Sequence, residues 1–288
     1  MNQKYSRTSV ILLSLCAVVT AGCGTSSTGS SNAESTVSQE AATATASEAA
    51  AIATSMTEAQ VSASSGAMAM PADNGGCPSI DVKSTGAGGK WTDELLTFTA
   101  PPCQFSGPRG YDTLDITGTL ELTRSAGDAY NFASDAKSLE WAFTSGGTTY
   151  SESRTGTRTI TASATGASAA NNMAFIIAGA AHNGTLTHQL AATFTPASGL
   201  SLAAGEPLPS GNFTYAGNAQ WAGSDGNAGS FSVTTVTPLA YDSTCKDTEP
   251  SVFDSGEIHV HLTSDSGNAY AKITWSDCGA PSVSFVAD

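Results

Sequence analysis

Apolar and polar residues alternate along most of the chain after Cys77. In the clearest runs the apolar residues recur at every second position: 116–122, 139–143, 186–194, 258–262 and 269–275. Successive side chains of a β-strand point to opposite faces, so this period of two predicts strands that cover a core with one face. A polar opposite face is typical of antiparallel sheets.

Turn-forming residues separate these runs. They are Ser145-Gly146-Gly147, Asp225-Gly226-Asn227 and Ser266-Gly267-Asn268, and the last predicts a hairpin between the run ending at Leu262 and the run beginning at Ala269. About a dozen strand candidates and no convincing long helix predict an all-β, antiparallel β-sandwich. A barrel and an elongated sheet are the alternatives.

The segment 24–76 differs from the rest of the chain. Ser, Ala and Thr dominate it, and it has no aromatic and no basic residue. Such a composition buries too little apolar surface to offset the entropy of the chain, which predicts a disordered tether. The alternative is a partly helical tether, because Glu40–Val61 is rich in alanine and Ile52 and Met56 share one helical face.

The N-terminus has the organisation of a signal peptide. Lys4 and Arg7 precede an apolar run, Val10–Val19, which at ten residues is too short to span a bilayer. The following Thr20-Ala21-Gly22-Cys23 resembles the lipobox of bacterial lipoproteins, although Thr20 stands where that family prefers leucine. The alternative is an ordinary cleavage after Val19-Thr20-Ala21.

The resemblance implies three parts of the chain. Residues 1–22 are a signal peptide, 23–76 are a lipid anchor and tether, and 77–288 are a single β-domain. Acylation of Cys23 would attach the protein to a bilayer in the cell envelope. Gly24 in the next position implies the outer membrane, because lipoproteins retained at the inner membrane usually carry aspartate there.

Cysteine parity supports the same interpretation. Four of the six cysteines remain if Cys16 leaves with the signal peptide and Cys23 carries lipid, an even number suited to an oxidising compartment. Each interval between chain neighbours has room for one hairpin, which favours the disulfides Cys77–Cys103 and Cys245–Cys278. A four-cysteine zinc site is the rival, and the absence of a Cys-x-x-Cys pair argues against it.

The charge excludes one class of partner. The chain has 11 basic and 25 acidic residues, a net charge of −14, and no Lys or Arg between Arg158 and Lys246. Nucleic-acid binding needs a positive surface and is therefore not expected. Anionic lipid would also repel the domain, so acyl chains must supply the affinity for a membrane.

His259-Val260-His261 is the main candidate for chemistry. On a strand both imidazoles lie on the side opposite Ile258, Val260 and Leu262, where two histidines can chelate a metal. Zinc requires a third ligand, and Asp254 and Glu257 are nearby in sequence. We expect a polar strand face and no cofactor, with a metal site or a metal-dependent hydrolase as the alternative.

The remaining candidates have structural interpretations. The aromatic residues are candidates for a sugar-stacking platform: Trp91, Trp141, Trp221, Trp275, Tyr150, Tyr215 and Tyr241. Trp141 and Trp275 are expected in the core, whereas Trp221 flanks a turn-rich segment and is the least core-like. His188 is expected to be a core histidine.

Arg154 and Arg158 lie four apart on a strand and are expected on one solvated side. They are a candidate anion clamp. The chain contains neither a Gly-x-Ser-x-Gly nucleophile elbow nor a glycine-rich phosphate loop. The sequence thus predicts a non-catalytic binding or structural module of the envelope, with a glycan or a protein as partner.

Overall fold

The fold is known from a computed structural model that describes most of the chain after Cys77. The described residues are 77–86, 91–106, 113–124, 132–145, 148–178, 183–203, 206–224, 226, 228–245, 251–262, 270–286 and, earlier, 42, 45, 46, 49, 52, 53 and 56. The predicted signal peptide, 1–22, and the predicted lipidation site, Cys23, lie outside these residues.

Twelve described strands follow one another along the chain: β1 (Ser79–Thr85), β2 (Trp91–Ser106), β3 (Thr113–Arg124), β4 (Phe132–Ser145), β5 (Thr148–Ser163), β6 (Gly166–Ala178), β7 (Asn183–Pro196), β8 (Gly211–Gly223), β9 (Ala228–Tyr241), β10 (Phe253–Leu262), β11 (Tyr270–Ser276) and β12 (Ser282–Val286). Each strand pairs with its chain neighbours, from β1 at one edge to β12 at the other. Every pairing is antiparallel.

The predicted antiparallel all-β fold is confirmed. So is the hairpin before Ala269, because β10 and β11 pair with His261 opposite Tyr270. The described strands belong to one continuous hydrogen-bonded sheet. Where described, β1 pairs only with β2 and β12 only with β11.

One face of this sheet forms the core. The alternation seen in the sequence becomes an alternation of buried and exposed side chains, most regularly along β6, β7 and β8. Residues as far apart in the sheet as Leu96 on β2 and Ile273 on β11 are fully buried and belong to one apolar cluster. A flat single layer would leave that face in water, so the sheet is curved around its apolar side.

Part of the predicted tether belongs to this core. Seven described residues have helical backbone: Ala42, Thr45, Ala46, Ala49, Ile52, Ala53 and Met56. Their spacing of three and four places them on one helical face, and all seven are buried. The partly helical alternative for Glu40–Val61 is therefore the one observed for these residues, and the packed unit includes residues on both sides of Cys77. None of the described residues forms a helix long and apolar enough to span a bilayer.

A close backbone contact accompanies the curvature at Gly156. This residue of β5 has a φ of +131°, in the region that side-chain-bearing residues rarely adopt. A Cβ placed here would lie 2.2 Å from the carbonyl oxygen of Asn172 on β6. Only glycine lets the two backbones approach this closely.

The cysteines stand in the pairs expected from the sequence. Cys77 lies beside Cys103 and Cys245 beside Cys278, with Cα–Cα distances of 5.6 and 5.8 Å. These distances are those of disulfides. One pair ties the start of β1 to β2, and the other ties the segment after β9 to the segment after β11, so both ends of the sheet are crosslinked.

Candidate functional site

The histidines of the sequence motif lie on the outer face of β10. Ile258 and Val260 are buried in the core, and His259 and His261 point to the opposite side. Their neighbours on β11 are Lys272 opposite His259 and Tyr270 opposite His261. Together with Glu257 these four residues form a cluster that we call the His–Tyr patch.

Glu257 links two members of the patch. Its Oε1 lies 2.6 Å from His259 Nε2, and its Oε2 lies 2.5 Å from Lys272 Nζ. The hydrogen bond and charge of Lys272 hold the pKa of Glu257 below its usual range, against the opposing effect of burial, and His259 adds to the lowering. An ionised carboxylate can only accept hydrogen bonds, so His259 Nε2 donates.

Tyr270 packs against both histidines. Its ring centroid is 3.9 Å from that of His259, with the planes inclined by 24°, and 5.0 Å from that of His261. Burial lowers the pKa of His261, and the neighbouring His259 lowers it further. Tyr270 was not among the sequence candidates, and a tight turn at Ser266-Gly267-Asn268 does not give the observed register, in which Tyr270 lies opposite His261.

The contacts of the patch do not favour a metal site. The Nε2 atom of His259 carries the proton that it donates to Glu257, and a protonated nitrogen has no lone pair for a metal. Within the part of the chain that the structure describes, no group of three His, Cys, Asp or Glu side chains is arranged to hold an ion. The prediction that the protein has no cofactor stays a prediction.

A shallow trough crosses the outer face of the next strands. It is open to solvent, has a volume of about 460 Å³ and is lined by Thr185, Thr187, Gln220, Trp221, Ala222, Ala228, Gly229 and Ser230. Thr187 on β7 pairs with Gln220 on β8, which pairs with Ser230 on β9. The floor of the trough is thus a row of hydroxyl and amide side chains perpendicular to the strands.

The trough and the patch occupy adjoining strands of the same face. Ser230 and Ser232 are two residues apart on β9 and therefore lie on one side of it. Ser232 pairs with His261 on β10, and His261 pairs with Tyr270 on β11. The trough therefore lies beside the row that reaches the His–Tyr patch, Gln189–Asn218–Ser232–His261–Tyr270, and is displaced from it by two residues along β9.

Most of the aromatic residues that were candidates for a sugar-stacking platform are buried in the core, so the prediction is wrong for them. Trp221, expected to be the least core-like, is only 4% exposed, and Tyr215 is fully buried. Trp141 and Trp275 are buried as predicted. The neighbouring turn had suggested that Trp221 is exposed. The alternation of side chains along β8 instead places Trp221 on the core-facing side, together with Phe213 and Ala219. The side chains of Trp91 and Tyr150 lie outside the described residues.

The expectation of a solvated side for Arg154 and Arg158 is also wrong. The two do share one side of β5, but it is the core-facing one, opposite Phe175 and Asn171 of β6. The guanidinium of Arg154 lies 4.4 Å from the ring centroid of Trp141 and forms an ion pair with Glu152. Arg158 Nε donates to Asn171 Oδ1 at 2.9 Å. Both arginines therefore hold structural positions.

His188 is a core histidine, as expected. It is fully buried on β7, and its ring meets that of Phe175 edge-on at a centroid distance of 5.6 Å. Another buried polar residue, Glu94 of β2, belongs to no motif and was not among the sequence candidates. Its side chain is inaccessible to solvent. Burial raises the pKa of Glu94 to about 7, although the positive charge of Arg124 opposes the shift.

Comparisons with protein-family models, with curated proteins and with solved structures find no match to this chain. The functional interpretation therefore rests on the residues of the chain itself, foremost on the trough and the His–Tyr patch.

Proposed function

We propose that the protein is an exported, lipid-anchored envelope protein whose β-domain is a non-catalytic binding module for an uncharged glycan. The observation that carries the proposal is the polar row of the outer face, Thr187–Gln220–Ser230, which lies beside the row that leads through Ser232 into the His–Tyr patch. Acylation of Cys23 supplies the attachment to the membrane.

The chemistry of the row matches that of sugar hydroxyls. Threonine and serine hydroxyls both donate and accept hydrogen bonds, and the amide of Gln220 does the same through separate atoms. At the end of the neighbouring row, Tyr270 offers an aromatic ring fixed in place by His259. Rings held in this way contribute apolar contact area with little loss of side-chain entropy on binding.

The charge of the protein favours a neutral ligand over an anionic one. The lining of the trough contains no charged residue, and the chain has a net charge of −14. Anionic polymers would be repelled at low ionic strength. The negative charge of the protein does not weaken the binding of a neutral polysaccharide. Such a polymer is also long enough to extend over several strands of the outer face.

Binding is tested by titrating the purified protein with soluble neutral polysaccharides of different linkage in a calorimeter. For a polysaccharide that binds, Gln220→Ala and Tyr270→Ala should each weaken the affinity about tenfold, the effect of one lost hydrogen bond or ring contact. Gln104→Ala is the matched control, because Gln104 is an exposed glutamine of β2, far from the trough in the order of the strands. Equal affinities for all three variants would place binding elsewhere.

Anchoring is tested separately by mass spectrometry of the mature protein and by fractionation of the cells. The wild-type protein should begin at an acylated Cys23 and sediment with membranes. Cys23→Ser should leave the domain folded and release it into the soluble fraction, whereas a Cys23→Ser variant that still sediments with membranes would contradict the lipid anchor.

A further inference from the structure

The edge strand β1 presents apolar side chains to solvent. All seven residues of Ser79–Thr85 are exposed. Ile80 and Val82 lie opposite Leu96 and Glu94 of β2, both fully buried, and hence on the core-facing side of the sheet. Ile80 is nevertheless 37% exposed and Val82 42% exposed, so the apolar side of the sheet continues to this edge without a cover from the described residues.

Two opposite charges flank Val82 on the other face of β1. Lys83 Nζ lies 3.8 Å from Asp81 Oδ2, which shows that both side chains are on the same side of the strand. Lysine at a sheet edge commonly opposes the pairing of further strands. The ladder of β1 with β2 is regular from Ser79 to Val82, shifts at Ser84 and returns to the same register at Thr85. Within this strand the acidic residue two positions before Lys83 makes Asp81–Lys83 complementary to an antiparallel copy of itself.

The register of such a pair follows from the charges. If Val82 lies opposite Val82 of the copy, Asp81 faces the copy's Lys83 and Lys83 faces the copy's Asp81. A shift by two residues in either direction places Asp81 opposite Asp81 or Lys83 opposite Lys83, and like charges directly opposite each other destabilise a strand pair. A shift by one residue would turn Val82 away from the core side.

We propose that β1 forms a two-fold symmetric interface with β1 of a second copy of this chain, centred on Val82. Ile80 then lies opposite Ser84 of the copy, and the two sheets continue into each other across the edge. A C2 interface of this kind is isologous, so it closes at a dimer and does not propagate into a fibre.

The other edge lacks the features that would fix a partner. Strand β12, Ser282–Val286, has no charged residue and hence no electrostatic preference among registers. Phe285 is exposed on it, but nothing in its neighbourhood selects a copy of the chain. The complementary charges of β1 therefore assign the interface to that strand.

The interface is tested by crosslinking the full chain in cells that export it. In the proposed register the two Val82 Cβ atoms are about 5 Å apart, whereas the two Ile80 Cβ atoms are about 13 Å apart along the strands. Val82→Cys should yield a covalent dimer with a thiol crosslinker shorter than about 10 Å. Ile80→Cys, the matched control, should yield at least tenfold less.

Co-expression of Ile80→Cys with Ser84→Cys should restore the crosslink, because these positions face each other only between copies. Absence of a Val82→Cys dimer, equal crosslinking of Val82→Cys and Ile80→Cys, or a crosslinked band of another mass would each overturn the proposal. The last would mean that a different partner covers the edge.

Charge reversal provides an independent test on the Val82→Cys background. Asp81→Lys and Lys83→Asp should each reduce crosslinking about fivefold or more, since each creates like-charge pairs on both sides of the two-fold axis. Mixing the two variants, distinguished by tags of different length, should restore the crosslink selectively in the heterodimer. Unchanged crosslinking in the single reversals, or no preference for the heterodimer, would overturn the register.

Discussion

The hydroxyl of Tyr215 on β8 donates a hydrogen bond of 2.9 Å to the carbonyl oxygen of Ala49, 166 residues earlier in the chain. Both groups are buried. The bond joins a helical residue of the alanine-rich segment to a strand in the middle of the sheet order. It shows that this segment has a defined place in the core.

Shortening a side chain of this helical face should destabilise the whole domain. Ile52 is fully buried, and replacing a buried isoleucine by alanine typically costs about 3 kcal/mol through lost burial and the cavity left behind. Chemical denaturation of Ile52→Ala should show this loss in a single transition. Ile176→Ala, at an isoleucine of β6 that is 57% exposed, is the control and should change stability by less than 1 kcal/mol. Wild-type stability of Ile52→Ala would contradict the packing of the helix.

The buried carboxyl of Glu94 should make stability fall with rising pH. In the unfolded chain this group titrates near 4.5, and in the folded protein at about 7. Between these values the folded state holds the extra proton, so the free energy of unfolding decreases from pH 4.5 to pH 7. The full difference amounts to about 3 kcal/mol.

Glu94→Gln removes this dependence, because an amide does not ionise. The variant should be more stable than the wild type at pH 8 and should lack the decrease between pH 4.5 and 7 in denaturation curves measured across that range. Glu121→Gln is the control, since Lys137 holds the pKa of Glu121 below its usual range. The decrease should persist in that variant. Parallel pH profiles for wild type and Glu94→Gln would refute the assignment.

The close approach of β5 and β6 at Gly156 should tolerate no side chain. Gly156→Ala would bring its Cβ within 2.2 Å of a carbonyl oxygen, and the resulting backbone shift should cost more than 3 kcal/mol or prevent folding. Gly199→Ala is the control that distinguishes the cost of a steric clash from the cost of an unfavourable backbone conformation. Gly199 also has a positive φ, but no atom lies within 4 Å of the added Cβ. We expect about 1 kcal/mol for it, and an equal effect of both substitutions would argue against a steric cause.

The ionisation of Glu257 should depend on Lys272. Lys272→Met removes the hydrogen bond and charge that contribute most to the lowered pKa of Glu257, while keeping a side chain of similar length. The pKa of Glu257, followed by NMR of its carboxyl carbon, should therefore rise in the variant. Lys137→Met, which removes a lysine that pairs with Glu121 instead, should leave the titration of Glu257 unchanged.

The sequence predicts those features that depend on local periodicity. The period-two alternation identifies the strands and the side of β10 on which His259 and His261 lie. The turn before Ala269 identifies the hairpin that brings Tyr270 to His261. These relations hold because side-chain direction in a strand is fixed by the backbone itself.

Features that depend on the curvature of the sheet are not visible in the sequence. Arg154 and Glu94 look like surface residues because of their charge, yet the strand phase and the closing of the sheet over its core bury both. The helical face of Ile52 and Met56 is recognisable in the sequence, but its burial is not, because the composition of the segment is that of a tether. Alanine side chains are buried here only because the helical segment packs against the curved sheet.

If Cys23 carries the proposed acyl chains, the position of the helix limits how far the domain can lie from the membrane. Cys23 and Ala42 are 19 positions apart in the sequence, which spans at most about 65 Å even if fully stretched. Counted to Cys77, the same connection would have allowed about 185 Å. With acyl chains on Cys23, the module would work close to the bilayer, within reach of polymers that lie against that surface and not of those far above it.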